Sequence, residues 1–268
     1  MQGRSIKWLK RIVFLLVILY VVGGFILFFI QDILFFHPLP LKKDYAFSFD
    51  LPYKELNISS PHASSNILQF QAKGASKGIV LFFHGNMYNM ERYKQYPALF
   101  VNKGYEFWMI DYPGFGKSRG RRTEGALEEQ AQLFYDLAMK KVHADSILIY
   151  GKSIGTGVAS WLAAHHACKR LILESPYYSI AALSHYYFPI YPSSLARYTF
   201  PINEYLLTVH APVTIFHGNE DEVIPYGQSH DLKEQNPSVE LITIDQGHHN
   251  DLARFPLFKQ KLDSLLKD

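Results

Sequence analysis

Apolar residues run unbroken from position 12 to position 30, nineteen residues without a charge. As a helix this run would be about 28 Å long, close to the roughly 30 Å hydrocarbon core of a bilayer. Arg4, Lys7, Lys10 and Arg11 precede it, while Lys42 and Lys43 follow only at a distance. That asymmetry of positive charge predicts a cytoplasmic N-terminus, with the chain beyond residue 30 on the opposite side of the membrane (periplasmic, lumenal or extracellular). The run exceeds the apolar stretch of a signal peptide, and no A-x-A cleavage site follows it, so an uncleaved anchor is expected. It has no polar face to meet water, which argues against a core helix.

Past the anchor the period changes. Residues 31–52 contain Pro38, Pro40 and Pro52 and read as an extended linker. Residues 53–59 and 66–73 alternate as two antiparallel edge strands around a turn at 61–65. Continuous apolar runs at 78–83, 105–111, 147–150, 170–174, 212–217 and 239–244 have the length of buried strands. Helical patterns separate them at 89–103, 123–141, 158–164, 226–235 and 251–266. This alternation predicts an α/β domain over 53–268, a mostly parallel sheet with helices on both faces. Residues 175–207 break the rhythm with a stretch rich in Tyr, Phe and Pro, read as a small lid. Its aromatic side chains either pack the lid or line an apolar acyl pocket. The expected organisation is therefore a basic segment 1–11, an anchor 12–30, a linker 31–52 and the α/β domain.

Composition narrows the function classes. Hydrophobic content of 48% with 19% charged residues excludes a disordered chain. A net charge of +3 gives no basic surface of the kind nucleic acid requires. The single cysteine, Cys168, forms no intrachain disulfide and no thiolate cluster. Twelve histidines include no H-E-x-x-H pair and no other ligand spacing, so neither a metal nor an organic cofactor is expected.

The chemistry concentrates at residues 146–157, SILIYGKSIGTG. Strand, G-x-S-x-G and helix in that order is the pattern of a nucleophile held on a sharp turn. Gly151 and Gly155 flank Ser153 because a Cβ at either position would collide with the neighbouring strand or helix. A serine hydroxyl needs a base, and the base an orienting acid. Downstream, the strand at 212–217 runs into HGNEDEVIP, where Glu220, Asp221 and Glu222 compete as the acid. The last strand runs into GHHND, where His248 and His249 compete as the base.

HGN at 84–86, DYPGFGKS at 111–118, GKSIG, HGNEDEVIP and GHHND resemble, in this order, the motifs of the α/β-hydrolase superfamily. They are most similar to its membrane-anchored serine hydrolases, the Bem46-type and serine aminopeptidase-like group. The resemblance spans roughly residues 50–268. It implies an α/β-hydrolase fold, Ser153 as nucleophile, and Asp221 as acid, four residues before Pro225. It favours His249 over His248, on the His-Asn-Asp-Leu run. The oxyanion donors it implies are the backbone N–H of Ile154 and one from the loop after His84, at Asn86 or Met87. His84 and His217, each ending a strand before Gly, read as packed or hydrogen-bonded residues, and Glu174 as a structural carboxylate. The implied activity is hydrolysis of an ester or thioester of a small-molecule or lipid-like acyl substrate. A serine peptidase and a non-catalytic membrane-anchored binding protein are the alternatives. Attack needs a neutral imidazole, so activity is expected to fall on acidification.

Overall fold

The computed structural model describes residues 2–60 and 63–267 of the chain. Among them, strands of five or more residues are β1 (Tyr53–Ser59), β2 (Ala63–Phe70), β3 (Gly78–Phe83), β4 (Tyr105–Ile110), β5 (Ile147–Lys152), β6 (Arg170–Glu174), β7 (Val213–Gly218) and β8 (Glu240–Ile244). They lie in one sheet in the order β8-β7-β6-β5-β3-β4-β2-β1. The pairs of β2 with β1 and with β4 are antiparallel, and the remaining neighbours are parallel. This is the α/β-hydrolase fold expected from the motifs.

Every position of β3, β4, β5 and β7 is buried, which is why these strands read as continuous apolar runs rather than alternating ones. Successive side chains still go to opposite faces. Leu81, Phe83 and Ile149 pack with helix α3 (Glu124–Met139) and α4 (Gly155–His165) through Phe134, Val158 and Leu162. Val80, Phe82 and Tyr150 pack on the other face, against Phe100 of α2 (Tyr96–Val101) and Phe258 and Leu262 of the closing helix (Pro256–Leu265).

Two expected helices are shorter than their periodicity, and proline marks both breaks. The pattern over 89–103 resolves into a 3₁₀ turn, Met90–Tyr93, followed by α2 with a proline in its first turn. The Asn89 side chain accepts the Glu91 N–H and caps that turn. The pattern over 251–266 likewise splits into a 3₁₀ turn, Leu252–Arg254, and the closing helix. Phe255 between them is extended (φ −75°, ψ 135°), since a residue before proline avoids the helical region. The turn expected at 61–65 lies partly outside the described residues, and β2 already begins at Ala63.

The N-terminal helix α1 spans Gln2–Phe35, beyond the expected end of the apolar run. Its part Ile6–Phe35 is long and apolar enough to cross a membrane, and almost none of its most apolar stretch is covered by protein. Residues 37–41, expected as part of an extended linker, are extended and also stitched to the domain. His37 N–H donates to Asn86 O (2.9 Å), Leu39 N–H to Tyr88 O (2.8 Å) and Leu41 N–H to Gly116 O (2.7 Å).

Between β6 and β7, residues 175–207 form α5 (Ile180–Tyr187), a 3₁₀ turn at Ser193–Leu195 and α6 (Ile202–Tyr205). The remaining helix, α7 (Gly227–Gln235), lies between β7 and β8, and the closing helix is α8.

Candidate active site

Ser153 stands on the turn from β5 into α4 with φ of +52°, a left-handed conformation that a serine adopts only under constraint. The constraint is visible in its flanking glycines. A Cβ at Gly155 would lie 2.2 Å from Phe83 O, and one at Gly151 would lie 2.6 Å from Gly155 O. Only hydrogen fits at either position, so the strand can turn into the helix within the space of the serine. Ile154 occupies the N-cap of α4, where by position the backbone N–H has no intrahelical acceptor.

The loops after β7 and β8 bring two more side chains to this turn. His249 Nε2 lies 2.9 Å from Ser153 Oγ, and His249 Nδ1 lies 2.8 and 3.0 Å from the Asp221 oxygens. A carboxylate accepts, so Nδ1 carries the proton and the bare Nε2 faces the serine hydroxyl. All three residues are buried. Asp221 Oδ1 also accepts the N–H groups of Val223 (2.9 Å) and Ile224 (2.8 Å). Burial alone would raise the Asp221 carboxyl, but hydrogen bonds from His217 and His249 and from Ile224 N–H outweigh it. The carboxyl is held far below the usual carboxylate range.

His248 points elsewhere. It is about half exposed, with Nδ1 2.9 Å from Glu220 O and 3.3 Å from Glu222 Oε2. Of the two adjacent histidines, the structure brings His249 to the serine. Glu220 and Glu222 are exposed beside His248.

Beyond the sequence reading, two residues support the arrangement. His217 Nε2–H donates to Ile224 O (2.9 Å) and lies 3.2 Å from Asp221 Oδ2, while its Nδ1 accepts from Ser229 (2.6 Å). It is hydrogen-bonded, as one of its two readings had it, and the group it braces is the acid. The H-x-x-x-D spacing at 217–221 was the available signal. Lys152, immediately before the serine, is buried with Nζ 2.6 Å from Glu174 Oε1 and 2.9 Å from the His249 carbonyl oxygen. Glu174 also accepts the Tyr96 hydroxyl (2.8 Å) and the Tyr150 hydroxyl. A lysine between an apolar strand and the nucleophile, in the x position of G-x-S-x-G, was the signal, since a charge carried there into the interior demands a partner.

The loop after β3 carries the remaining expected residues. His84 is buried, with Nδ1–H donating to Gly85 O (2.7 Å) and Nε2 3.2 Å from Asp111 Oδ1. Burial pushes the Asp111 carboxyl up, against the adjacent His84 ring and a hydrogen bond from Met90 N–H. Gly85 passes close to the nucleophile, a Cβ there lying 3.5 Å from Ser153 Cβ. Asn86 and Met87 follow, and the buried Tyr93 hydroxyl lies against Gly85, 2.7 Å from where its Cβ would stand. On α7, His230, Asp231 and Glu234 can bring donor atoms within 4.8 Å of one another, but all three are exposed, as expected of a solvated helix face.

Known proteins resemble this chain in sequence and in fold. A family model described as serine aminopeptidase, S33, matches residues 74–202. Alpha/beta hydrolase domain-containing protein 17C of Xenopus tropicalis is 29% identical over 195 residues, covering 71% of this chain and 62% of the relative. The human protein 17B is 30% identical over 193 residues, covering 70% of this chain and 65% of the relative. The chain thus spans less than two thirds of these relatives' length. Among solved structures, an esterase of Pyrococcus furiosus superposes with a TM-score of 0.66 at 20% identity, over 86% of this chain and 98% of that one. Est1E from Butyrivibrio proteoclasticus, solved with ferulic acid bound, gives 0.62 at 19% identity, over 79% and 96%. With sheet order, nucleophile turn and sequence relatives pointing the same way, the chain belongs to the α/β-hydrolase superfamily.

Proposed function

We propose that the chain is a membrane-anchored serine hydrolase that cleaves a carboxylic ester or thioester through an acyl-enzyme. The unbroken run from Ser153 Oγ through His249 to Asp221, 2.9 and then 2.8 Å, supports this most directly. Ser153 Oγ attacks the acyl carbon as His249 Nε2 takes its proton, and Asp221 stabilises the imidazolium. The oxyanion is received by the N–H groups of Ile154 and Asn86. Asn86 is favoured over Met87 because it follows directly on Gly85, where an added Cβ would lie 3.5 Å from Ser153 Cβ. His249 returns the proton to the leaving alcohol or thiol, and water then resolves the acyl-serine by the same path. The groups named suffice for each step, so no cofactor is invoked.

Helix α1 is read as the anchor, with residues 1–11 cytoplasmic and the domain on the opposite face, on the strength of Arg4, Lys7, Lys10 and Arg11. The matched family's description suggests an aminopeptidase as the second reading. Against it, the buried carboxylates Glu106, Asp111, Glu174 and Asp221 each bond protein groups, and the one partnerless oxygen among them, Asp111 Oδ2, is sealed in the interior away from a substrate ammonium.

Labelling with an acyl-serine probe such as a fluorophosphonate tests the proposal. The expected result is a label on the wild type that Ser153→Ala abolishes. Equal labelling of Ser153→Ala, or none of the wild type, overturns enzymatic function through this serine and leaves a binding protein.

A further inference from the structure

The lid does not float over the site. It is clamped to α1. Gln31, the first polar side chain after the apolar run, is buried. Its Nε2 donates to Leu195 O (2.8 Å), and its Oε1 accepts the Arg197 N–H (2.7 Å). The Tyr198 hydroxyl donates to Asp32 Oδ1 (2.6 Å). These bonds fix residues 195–198 at the polar end of the span.

From there the preceding residues reach back along the apolar helix. The Tyr191 ring stacks on Tyr20 with centroids 5.0 Å apart. It also covers Gly23 and Gly24, where an added Cβ would lie 2.2 Å from the Tyr191 hydroxyl oxygen and 3.2 Å from its ring. Such close approach of small residues is how elements pack inside a bilayer. Tyr20 lies eleven residues before Gln31, about 16 Å along the helix axis.

That depth has a consequence. If α1 spans the membrane with residues 12–30 in the hydrocarbon, the partner of Tyr20 is in the hydrocarbon too. Sliding the helix to lift Tyr191 into water would drag Lys7, Lys10 and Arg11 into the apolar core, which is far costlier. The lid's composition fits the same surroundings. Residues 175–196 contain no Asp, Glu, Lys or Arg. Tyr186, Tyr187, Phe188 and Ile190 are exposed, Ile190 at 69%. In water this would be an unexplained apolar patch.

We propose that the lid tip, residues 186–195, is immersed in the acyl chains of the leaflet on the domain's side. This rests on the reading of α1 as a spanning anchor. The immersed tip is tied to the active site as well as to the helix. The Tyr187 hydroxyl donates to Val223 O (2.6 Å), two residues from Asp221. A lipid-like ester or thioester dissolved in that leaflet therefore meets the lid without first crossing water.

Spin labelling of the full chain in lipid nanodiscs tests the immersion, because Cys168 is the only native cysteine. In a Cys168→Ala background, nitroxides are attached at Ile190→Cys, at Leu16→Cys on α1 and at Leu257→Cys on the lysine-bearing α8. Collision with oxygen and with a water-soluble nickel chelate is then compared by electron paramagnetic resonance. The expected result is that Ile190 behaves as Leu16 does, favouring oxygen several-fold over the pattern at Leu257. A nickel-accessible Ile190 beside an oxygen-favouring Leu16 overturns the immersion and leaves the anchor intact. A nickel-accessible Leu16 overturns the anchor, and the immersion with it. Ile190 is exposed, so the label there displaces no packed side chain.

Discussion

Replacing Lys152 by methionine separates two roles that one ammonium performs. Lys152 and Glu174 are both almost fully buried and 2.6 Å apart. Removing the cation leaves a carboxylate with two tyrosine donors and no counter-charge. Breaking a buried pair from one side costs about 3–5 kcal/mol. At about 2–4 °C per kcal/mol for a domain of this size, the melting temperature of Lys152→Met should fall by roughly 6–20 °C. Glu174→Gln added to Lys152→Met removes the orphaned charge and should return most of that loss. It does not replace the second bond of Lys152, to the His249 carbonyl oxygen at 2.9 Å. A base loop free to shift by an ångström costs on the order of 10²-fold in rate. The double variant should therefore melt near the wild type yet turn over a p-nitrophenyl acyl ester about 10–100-fold more slowly, chiefly in kcat. Thermal melts and steady-state kinetics on the same preparations provide the readout. Wild-type kcat in the double variant, or a single variant melting with the wild type, would refute the role assigned to Lys152.

Three further outcomes follow from the site and its surroundings. His249→Ala should lower turnover by at least about 10³-fold, while His248→Ala keeps most of it; steady-state rates decide, and the reverse ranking contradicts the geometry. The Asp221 carboxyl is held below its unfolded value, so its contribution to stability is present above roughly pH 4 and lost as pH falls below it. Melts between pH 7 and 2.5 should accordingly show a shallower acid limb for Asp221→Asn than for the wild type, and identical limbs would contradict this. Burial pushes the Cys168 thiol up to about 12 from 9.0, so alkylation by iodoacetamide at pH 8 should be about 10³-fold slower in the native protein than after unfolding. A mass-spectrometric time course measures this, and comparable rates in the two states would show the thiol to be accessible.

The sheet was legible in the sequence because burial on both faces leaves a local mark. GIVLFF, YEFWMI and ILIYGK are apolar at every position, or nearly so, whichever way each side chain points. The nucleophile turn was legible for a steric reason, since Gly151 and Gly155 stand where no Cβ fits. Helix ends were less legible. Pro97 and Pro256 fall inside periodic patterns, and the choice between a kink, a break and a restart depends on what the neighbouring turn packs against. Least legible were the long-range polar ties. Nothing about His217 in isolation says that it braces Asp221, and nothing near Gln31 names residues 195–197 as its partners. Gly23-Gly24 within an unbroken apolar helix was a visible sign of close packing, but not of which element would approach.

The stitching of residues 37–41 to the loops at 86–88 and 116 ties α1 to the surroundings of the nucleophile. A long slack tether would let the domain tumble above the lipid and sample substrates at any height. Here the chain leaves α1 at Phe35 and within two residues is hydrogen-bonded to Asn86, in the loop beside the nucleophile. Were α1 set in a bilayer as proposed, tilt of the helix or a change in bilayer thickness would reach the loop beside the nucleophile without passing through the sheet. A version cut after residue 41 would lose the bonds that Asn86 O, Tyr88 O and Gly116 O accept, and not merely the helix.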